Sequence, residues 1–130
     1  MGFCTPEQVS QFYEEANVLE PVFMNAGIHL TKFFFNITKE EQAKRFRSRQ
    51  TSPLKVGKMS AVDLASQDKW DAYELAHGTM LSLTKNWVFV NSNDKQKARI
   101  AAMQYVLWRN QYLGKDLDAI GEIDESILTI

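Results

Sequence analysis

Two short apolar runs stand out along the chain. The first, residues 28–37, contains three consecutive phenylalanines and lies between Gly27 and Thr38. The second, residues 87–90, consists of a tryptophan, two valines and a phenylalanine. Aromatic and β-branched runs of this length, bounded by glycine or polar residues, are typical of strands buried on both faces. The pattern therefore predicts two buried strands.

Apolar residues at steps of three and four predict helices in much of the remaining chain. The first helix begins after a cap at Thr5 and extends to about residue 26. The same spacing predicts one helix over residues 62–83, after a cap at Ser60, and a last long helix capped by residues 93–96. Each helix has an apolar face that needs a packing partner.

A strongly basic helix is predicted directly after the first strand. Thr38 and Glu41 have the spacing of a capping box, and the helix is expected to end before Pro53. From Lys39 to Lys58 there are seven basic residues and two glutamates, a local balance of +5 (7 − 2) in a chain of net charge −1. These residues, 39–58, are called the basic segment below. They carry the strongest functional signal in the sequence.

The order of the predicted elements defines a fold class. Strand, helices, strand and helix predict an α/β fold with a parallel sheet and right-handed crossovers. Two strands leave unpaired edges, so partners or further strands are expected to complete the sheet. From Gly114 the sequence turns acidic and loses periodicity. The expected organisation is one domain over residues 1–113 and an acidic C-terminal tail over residues 114–130.

Composition narrows the class of protein. The net charge of −1 argues against general coating of nucleic acid, because the basic excess is confined to one segment. Cys4 is the only cysteine, which excludes an intrachain disulfide and favours a reducing, cytoplasmic location. No apolar run approaches the roughly 18 residues that suggest a membrane span. A membrane protein is therefore not expected.

Several motifs along the chain resemble the C-terminal half of the family-2 polyphosphate kinases. They occur in the same order as in that family, which makes the resemblance specific. They comprise residues 2–5 and 28–37; Glu40, Glu41, Gln42, Lys44, Arg45, Phe46 and Arg49; Pro53, Leu54, Lys55, Lys58 and Ser60; residues 69–73; residues 92–95 with Ala98 and Arg99; and residues 114–116.

The resemblance implies a fold and an activity. The fold is a partial P-loop-type three-layer α/β fold, mostly helical, with about two parallel strands and a helical lid at about residues 39–62. The activity is phosphoryl transfer between inorganic polyphosphate and nucleoside mono- or diphosphates such as AMP, ADP and GDP, with Mg2+ as cofactor. The implied partners are polyphosphate, a nucleotide, and either further copies of the chain or a complementing N-terminal half. Neither a membrane nor a specific nucleic acid is expected as a partner.

A P-loop is absent from the sequence. A Walker-A loop requires two glycines five residues apart followed by lysine, so that backbone N–H groups can surround the phosphates. None of the six glycines forms such a pair. The family's upstream acidic motif would lie before Met1, so the Mg2+ ligands and the catalytic residues are expected outside this chain. Within the matched half, Ser52, Gly57, Ala61 and His77 depart from the residues usual in the family.

Two sets of residues are implied to bind substrate. The first set, here called the lid residues, matches the basic lid of the family. The lid residues are Arg45, Arg49, Lys55 and Lys58. Guanidinium forks suit phosphate oxygens, whereas the alternative for this set is a solvated basic face. The second set, the nucleotide-side residues, consists of Asp94, Lys95 and Arg99. Its alternative is a helix cap with ordinary helix charges.

Three functions stay open from the sequence. The chain is part of a polyphosphate-dependent phosphotransferase and inactive alone, or it binds polyphosphate or nucleotide without chemistry. The third possibility is that the chain is a non-functional remnant or an interaction fragment that keeps the fold.

Overall fold

The computed structural model describes residues 2–130, apart from the side chain of Val56. These residues form two compact units. One, the helical unit, comprises the described residues up to Ala16 together with Thr38–Lys85. The other, the sheet unit, comprises Asn17–Ile37 and Asn86–Ile130. The first helix, α1 (Pro6–Asn25), contributes residues to both units.

Helix α1 begins at the predicted cap. The Gln8 N–H donates to Thr5 Oγ1 at 3.3 Å, and the Thr5 N–H donates to Gln8 Oε1 at 2.8 Å. Two backbone donors at the helix start are thereby satisfied, as in a capping box.

The helical unit contains α2 (Lys39–Thr51), a 3-10 helix (Val56–Lys58), α3 (Ala61–Ser66) and α4 (Trp70–Leu83). The predicted helix over residues 62–83 is therefore two helices. Between them, the N–H groups of Lys69 and Trp70 donate to carbonyls three residues earlier. Bonds of that span tighten the backbone beyond the α-helical pitch and separate α3 from α4.

The sheet unit contains three strands in the order β1 (Lys32–Asn36), β2 (Trp87–Asn91) and β3 (Leu128–Thr129). β1 and β2 are parallel and β3 pairs antiparallel with β2. The predicted α/β class with two parallel strands is confirmed. The short third strand was not predicted.

The core of the sheet unit lies between β2 and α5 (Lys95–Arg109). Val90 and Tyr105 are its largest fully buried side chains. The Tyr105 ring meets the Phe33 ring edge to face, with 5.7 Å between centroids. Small residues on the buried face of α5 let the helix approach the sheet closely. They are Ala98, Ala101 and Ala102.

The acidic segment from Gly114, for which the sequence predicts a tail, is folded into the sheet unit. It forms α6 (Leu117–Ile120) and β3, and Ile127 and Leu128 are buried in the core. The Asn91 N–H donates to the Ile127 carbonyl at 2.7 Å. Periodicity did not reveal this strand because it has only two residues, of which Leu128 alone is apolar and buried, too few to form a pattern.

Candidate phosphate-binding site

Arg45 lies on α2 and is held by a carboxylate of the same helix. Its Nε donates to Glu41 Oε1 at 2.8 Å, and only 18% of its side chain is exposed. The two residues stand four positions apart, the spacing at which side chains on a helix meet. Glu41 therefore fixes the direction in which the guanidinium points.

Arg49, one turn further along α2, is held by a carboxylate from another helix. Its Nη1 lies 3.4 Å from Asp63 Oδ1, at the start of α3. The guanidinium carbon also stands 5.5 Å from the centroid of the Phe46 ring, within the range of a cation–π contact. Arg45 and Arg49 thus share one face of α2, each oriented by a carboxylate.

Asp63 has two roles in this arrangement. Its carboxylate accepts hydrogen bonds from the N–H and the hydroxyl of Ser60, both at 3.0 Å, which caps α3. The Ser60 N–H, more than the hydroxyl or the charge of Arg49, holds the pKa of Asp63 below its usual value. The carboxylate therefore stays ionised at neutral pH and keeps Arg49 in place.

The two lid lysines follow α2 in the chain. Lys55 Nζ donates to Ser48 Oγ at 2.9 Å, which brings this cation back against α2. Lys58 ends the 3-10 helix and is exposed. Arg45, Arg49 and Lys55 are therefore brought together on or against α2, and Lys58 extends the set into solvent.

Two other cations of α2 are exposed to solvent. Lys44 has 75% of its side chain exposed, with its Nζ 3.7 Å from Glu41 Oε2, and Arg47 is also exposed. The α2 helix thus has an oriented basic face and a solvated basic face. Only the first has the fixed guanidinium geometry that bidentate contact with phosphate oxygens requires.

The nucleotide-side residues lie in the sheet unit at the start of α5. Asp94 is the N-cap residue of this helix, and its Oδ1 accepts from the N–H groups of Gln96 at 2.9 Å and Lys97 at 3.2 Å. Lys95 and Arg99 are exposed in the first turns of α5. The capping role of Asp94 is thus present in the structure.

Sequence reasoning missed the polar residues at the ends of the strands. Asn36 and Asn91 are register partners at the carboxyl ends of the parallel strands β1 and β2. The buried Ser92 follows, and its N–H donates to the Asn36 carbonyl at 2.7 Å. In open α/β sheets, ligands bind beyond the carboxyl ends of the parallel strands. In this chain α5 follows that end of β2. An asparagine at the end of the first apolar run and another directly after the second were the available signal.

Sequence reasoning also missed the carboxylates that orient the arginines. Glu41 could have been found from its spacing to Arg45 on one helix face. Asp63 had no comparable signal, because its contact with Arg49 joins two separate helices.

Neither a metal site nor a membrane span is found in the part of the chain that the structure describes. No group of three or more histidine, cysteine, aspartate or glutamate side chains within residues 2–130 is placed to hold a metal ion. None of the described helices is both long enough and apolar enough to cross a membrane.

Comparison with known proteins covers both sets of candidate residues. The family model of polyphosphate kinase 2 (PPK2) matches residues 1–117. The chain is 46% identical to ADP-polyphosphate phosphotransferase 1 of Rhizobium meliloti (strain 1021), over 98% of this chain and 44% of that protein. It is 44% identical to a GDP-polyphosphate phosphotransferase of Mycolicibacterium smegmatis, over 98% of this chain and 47% of that protein.

A third relative has a broader name. NDP-polyphosphate phosphotransferase 2 of Ruegeria pomeroyi is 42% identical, over 98% of this chain and 38% of that protein. The chain therefore spans less than half the length of each of these three relatives.

Proposed function

The chain belongs to the polyphosphate kinase 2 family, and from that premise we propose that it supplies a polyphosphate-binding surface for phosphoryl transfer between polyphosphate and a nucleotide. The oriented basic face of α2 is the binding surface, with the lid residues as its ligands. The observation that carries the proposal is the pair Arg45 and Arg49, one turn apart and each directed by a carboxylate.

The geometry favours a polymeric anion over a single phosphate. Arg45 and Arg49 are one helical turn apart, which is about 5.4 Å along the helix axis. Lys55 adds a third cation against the same helix through its bond to Ser48. A row of cations at that scale suits several phosphates of one chain, since each guanidinium can take two oxygens of one phosphate.

Glu41 and Asp63 make the surface selective. They lower the local positive charge, so weakly charged anions gain little by binding. A densely charged chain such as polyphosphate can share or displace the carboxylates, because charge-assisted bonds from an arginine fork are strong. Preoriented side chains also lose less conformational entropy on binding than mobile ones.

The nucleotide is proposed to use the sheet unit. Lys95 and Arg99 lie in the first turns of α5, whose N-terminus carries partial positive charge. Asn36 and Asn91 add amide groups at the carboxyl edge of the sheet. The relatives named for ADP, GDP and NDP support a nucleotide as the second substrate.

Catalysis is proposed to need groups beyond these 130 residues. Phosphoryl transfer relies on positioned cations and metal around the transferred group. The sequence holds no glycine pair with P-loop spacing, and no metal-binding cluster lies among its described residues.

Binding of polyphosphate without turnover is the second candidate function, and the same two observations favour it for the isolated chain. The reducing, cytoplasmic location suggested by the single cysteine is part of this proposal.

The binding surface can be tested with matched double substitutions on one helix. Arg45→Ala with Arg49→Ala removes two charges from the oriented face, and Lys44→Ala with Arg47→Ala removes two from the solvated face. At low salt, titration calorimetry with polyphosphate should show affinity falling by at least about tenfold for the first pair, because charge-assisted bonds contribute about 1.5–3 kcal/mol each. The second pair should lose only about two- to threefold, as expected for exposed charges.

Two results would contradict the proposal. Equal losses for the two pairs would mean that only the total charge matters, as in a solvated basic face. Undetectable binding by the wild-type chain at low salt would mean that this face of α2 does not bind polyphosphate. Far-UV circular dichroism of each variant checks that α2 remains folded without its ion pairs.

A further inference from the structure

A wide groove lies in the sheet unit, and its lining includes neither the lid residues nor the nucleotide-side residues. Its volume is about 1080 Å³. The groove is lined by the C-terminal half of α5, by α6 with the segment that follows it, and by residues 128–130. It is called the α5–β3 groove below.

The lining of the α5–β3 groove is partly apolar. Tyr105 and Leu128 belong to the buried core, whereas Trp108, Leu117 and Ile130 are 52%, 57% and 79% exposed. Exposed apolar side chains that share one surface mark sites of interaction, and tryptophan is among the residues that contribute most to binding at interfaces. The groove therefore offers a partner apolar surface that is in contact with water in the chain alone.

The charged side chains that line the groove are all acidic. Asp118 lies on α6, and Glu122 and Glu125 lie between α6 and β3. All three are exposed, and none takes part in an ion pair within the part of the chain that the structure describes. Because opposite potentials steer association and like charges oppose it, the groove favours a cationic partner over polyphosphate or a nucleotide.

Hydrogen bonds hold the groove in shape. Gln104 Nε2, on α5, donates to the carbonyl of Ile120 at 2.8 Å and to the carbonyl of Glu122 at 3.3 Å. Between these two carbonyls the chain turns at Gly121, whose φ of 73° lies in the left-handed region that favours glycine. The segment after α6 is thereby fastened to α5. A preformed groove loses less conformational entropy when a partner binds.

Size and topology favour an extended peptide as the occupant. Small-molecule sites typically enclose about 300–1,000 Å³ and surround most of the ligand, whereas the α5–β3 groove is larger and open to solvent. β3 borders the groove as the last strand of the sheet, and none of the described strands pairs with its second edge. Such an edge presents backbone N–H and C=O groups that an extended peptide can use.

We propose that the α5–β3 groove binds an extended basic segment of another protein. Apolar side chains of that segment contact Trp108 and Leu117, and its lysines or arginines pair with Asp118, Glu122 and Glu125. An arginine of the segment can also stack on the half-exposed Trp108 ring. The groove shares no residue with the lid or nucleotide-side sets, so docking of the segment and binding of polyphosphate can succeed or fail separately.

Fluorescence anisotropy with labelled synthetic peptides tests the proposal. The probe is a short peptide of alternating arginine and valine, because a strand places the two kinds of side chain on opposite faces. Its matched controls carry serine in place of valine or glutamate in place of arginine. The wild-type chain should bind the arginine–valine peptide saturably, the arginine–serine peptide at least about tenfold more weakly, and the glutamate–valine peptide not at all.

Two double charge reversals separate the groove from the total charge of the chain. Glu122→Lys with Glu125→Lys should weaken binding of the arginine–valine peptide by at least about tenfold, because two attractions become repulsions. Glu14→Lys with Glu15→Lys makes the same change of net charge at exposed residues of the helical unit. This control should change the affinity by less than about threefold, as expected for distant, screened charges.

Truncation of the tryptophan tests the apolar contact. Trp108→Ala should weaken binding of the arginine–valine peptide by at least about tenfold, since a large side chain at the interface is lost. Leu113→Ala is the matched control, because Leu113 is a fully exposed residue of the same unit that does not line the groove. It should leave the affinity unchanged.

Amide NMR spectra of the isotope-labelled wild-type chain locate the contact without any substitution. Added arginine–valine peptide should shift the signals of the Trp108 indole N–H and of the backbone amides of residues 117–130. The amide signals of α2 should stay in place. Shifts confined to residues outside the groove would contradict the proposal.

Four further results would overturn the proposal. The first is the lack of saturable binding of the arginine–valine peptide below about 1 mM. The second is an equal loss for the two double charge reversals, which would mean that only net charge matters. The third is binding of spermidine or the arginine–serine peptide as tight as that of the arginine–valine peptide, which would make the groove a simple cation site. The fourth is an oligomeric state that changes with Glu122→Lys and Glu125→Lys, which would assign the groove to a second copy of the chain.

Discussion

At the scale of single residues, the basic segment is organised by two carboxylates, Glu41 within it and Asp63 beyond it. The chain carries seven cations between Lys39 and Lys58. Of these, the half-buried Arg45 and Arg49 are oriented by Glu41 and Asp63, whereas Lys44, which also pairs with Glu41, stays mostly exposed. Each ion pair alone adds little to stability, because both partners retain contact with water. Their main effect is on geometry, because they fix the directions in which the two guanidinium groups point.

Asp63 makes the helical unit sensitive to acid. Its pKa is lowered in the folded chain, chiefly by the Ser60 N–H. A lowered folded-state pKa adds stability that is fully present above the unfolded value of about 3.9 and is lost as the pH falls through the folded value. The free energy of unfolding should therefore fall between about pH 5 and pH 3, and Asp63→Asn should flatten that fall. Urea unfolding at a series of pH values measures both, and parallel profiles for the two proteins would refute this role.

At the scale of elements, β3 is the feature that differs most from the fold predicted from the sequence. It joins the chain's last residues to β2 and closes one side of the core with Leu128. A chain that ended in a solvated tail would leave Val90 and Tyr105 less covered. The acidic segment is thus a structural part of the sheet unit.

The contribution of β3 can be measured with two alanine substitutions. Leu128→Ala should destabilise the sheet unit by about 2–4 kcal/mol, because it removes a buried leucine and leaves a cavity. Ile130→Ala, at a neighbouring exposed residue, should change stability by less than about 0.5 kcal/mol. Chemical denaturation of the two variants gives both values. Similar small losses for both would support the tail predicted from the sequence.

The elements differ in how well the sequence predicts them. Strands β1 and β2 and the starts of α1, α2 and α3 follow from apolar runs and capping residues, which are local signals. Local signals could not reveal β3 or the break between α3 and α4. The lid and nucleotide-side residues came from family resemblance, whereas Asp63 and the register of Asn36 with Asn91 depend on contacts between distant segments. Such contacts are decided by packing, which no single stretch of sequence encodes.

At the scale of the whole molecule, the chain matches a phosphotransferase family over nearly all its length but spans less than half of its relatives. Among the described strands none pairs with the outer edge of β1. The comparisons thereby establish the family, which the sequence analysis gave only as a resemblance.

The purified 130-residue chain is expected not to transfer phosphate from polyphosphate to ADP or GDP at an appreciable rate, even with Mg2+. The reason is the lack of a P-loop spacing among its glycines. Without backbone N–H groups around the transferred phosphate, most electrostatic stabilisation of the transition state is lost. A coupled assay for ATP or GTP gives the rate. Turnover of several per second would contradict this expectation.

The most direct test of the central claim, that the oriented face of α2 binds polyphosphate, is the salt dependence of binding. Each cation that neutralises a phosphate releases counterions, so the logarithm of the association constant falls linearly with the logarithm of salt concentration. Titrations of wild type and of the Arg45→Ala, Arg49→Ala variant over a range of salt should give a variant slope shallower by about 1.4, at about 0.7 for each lost contact by analogy with single-stranded nucleic acid. Equal slopes for the two proteins would show that Arg45 and Arg49 do not contact the polymer.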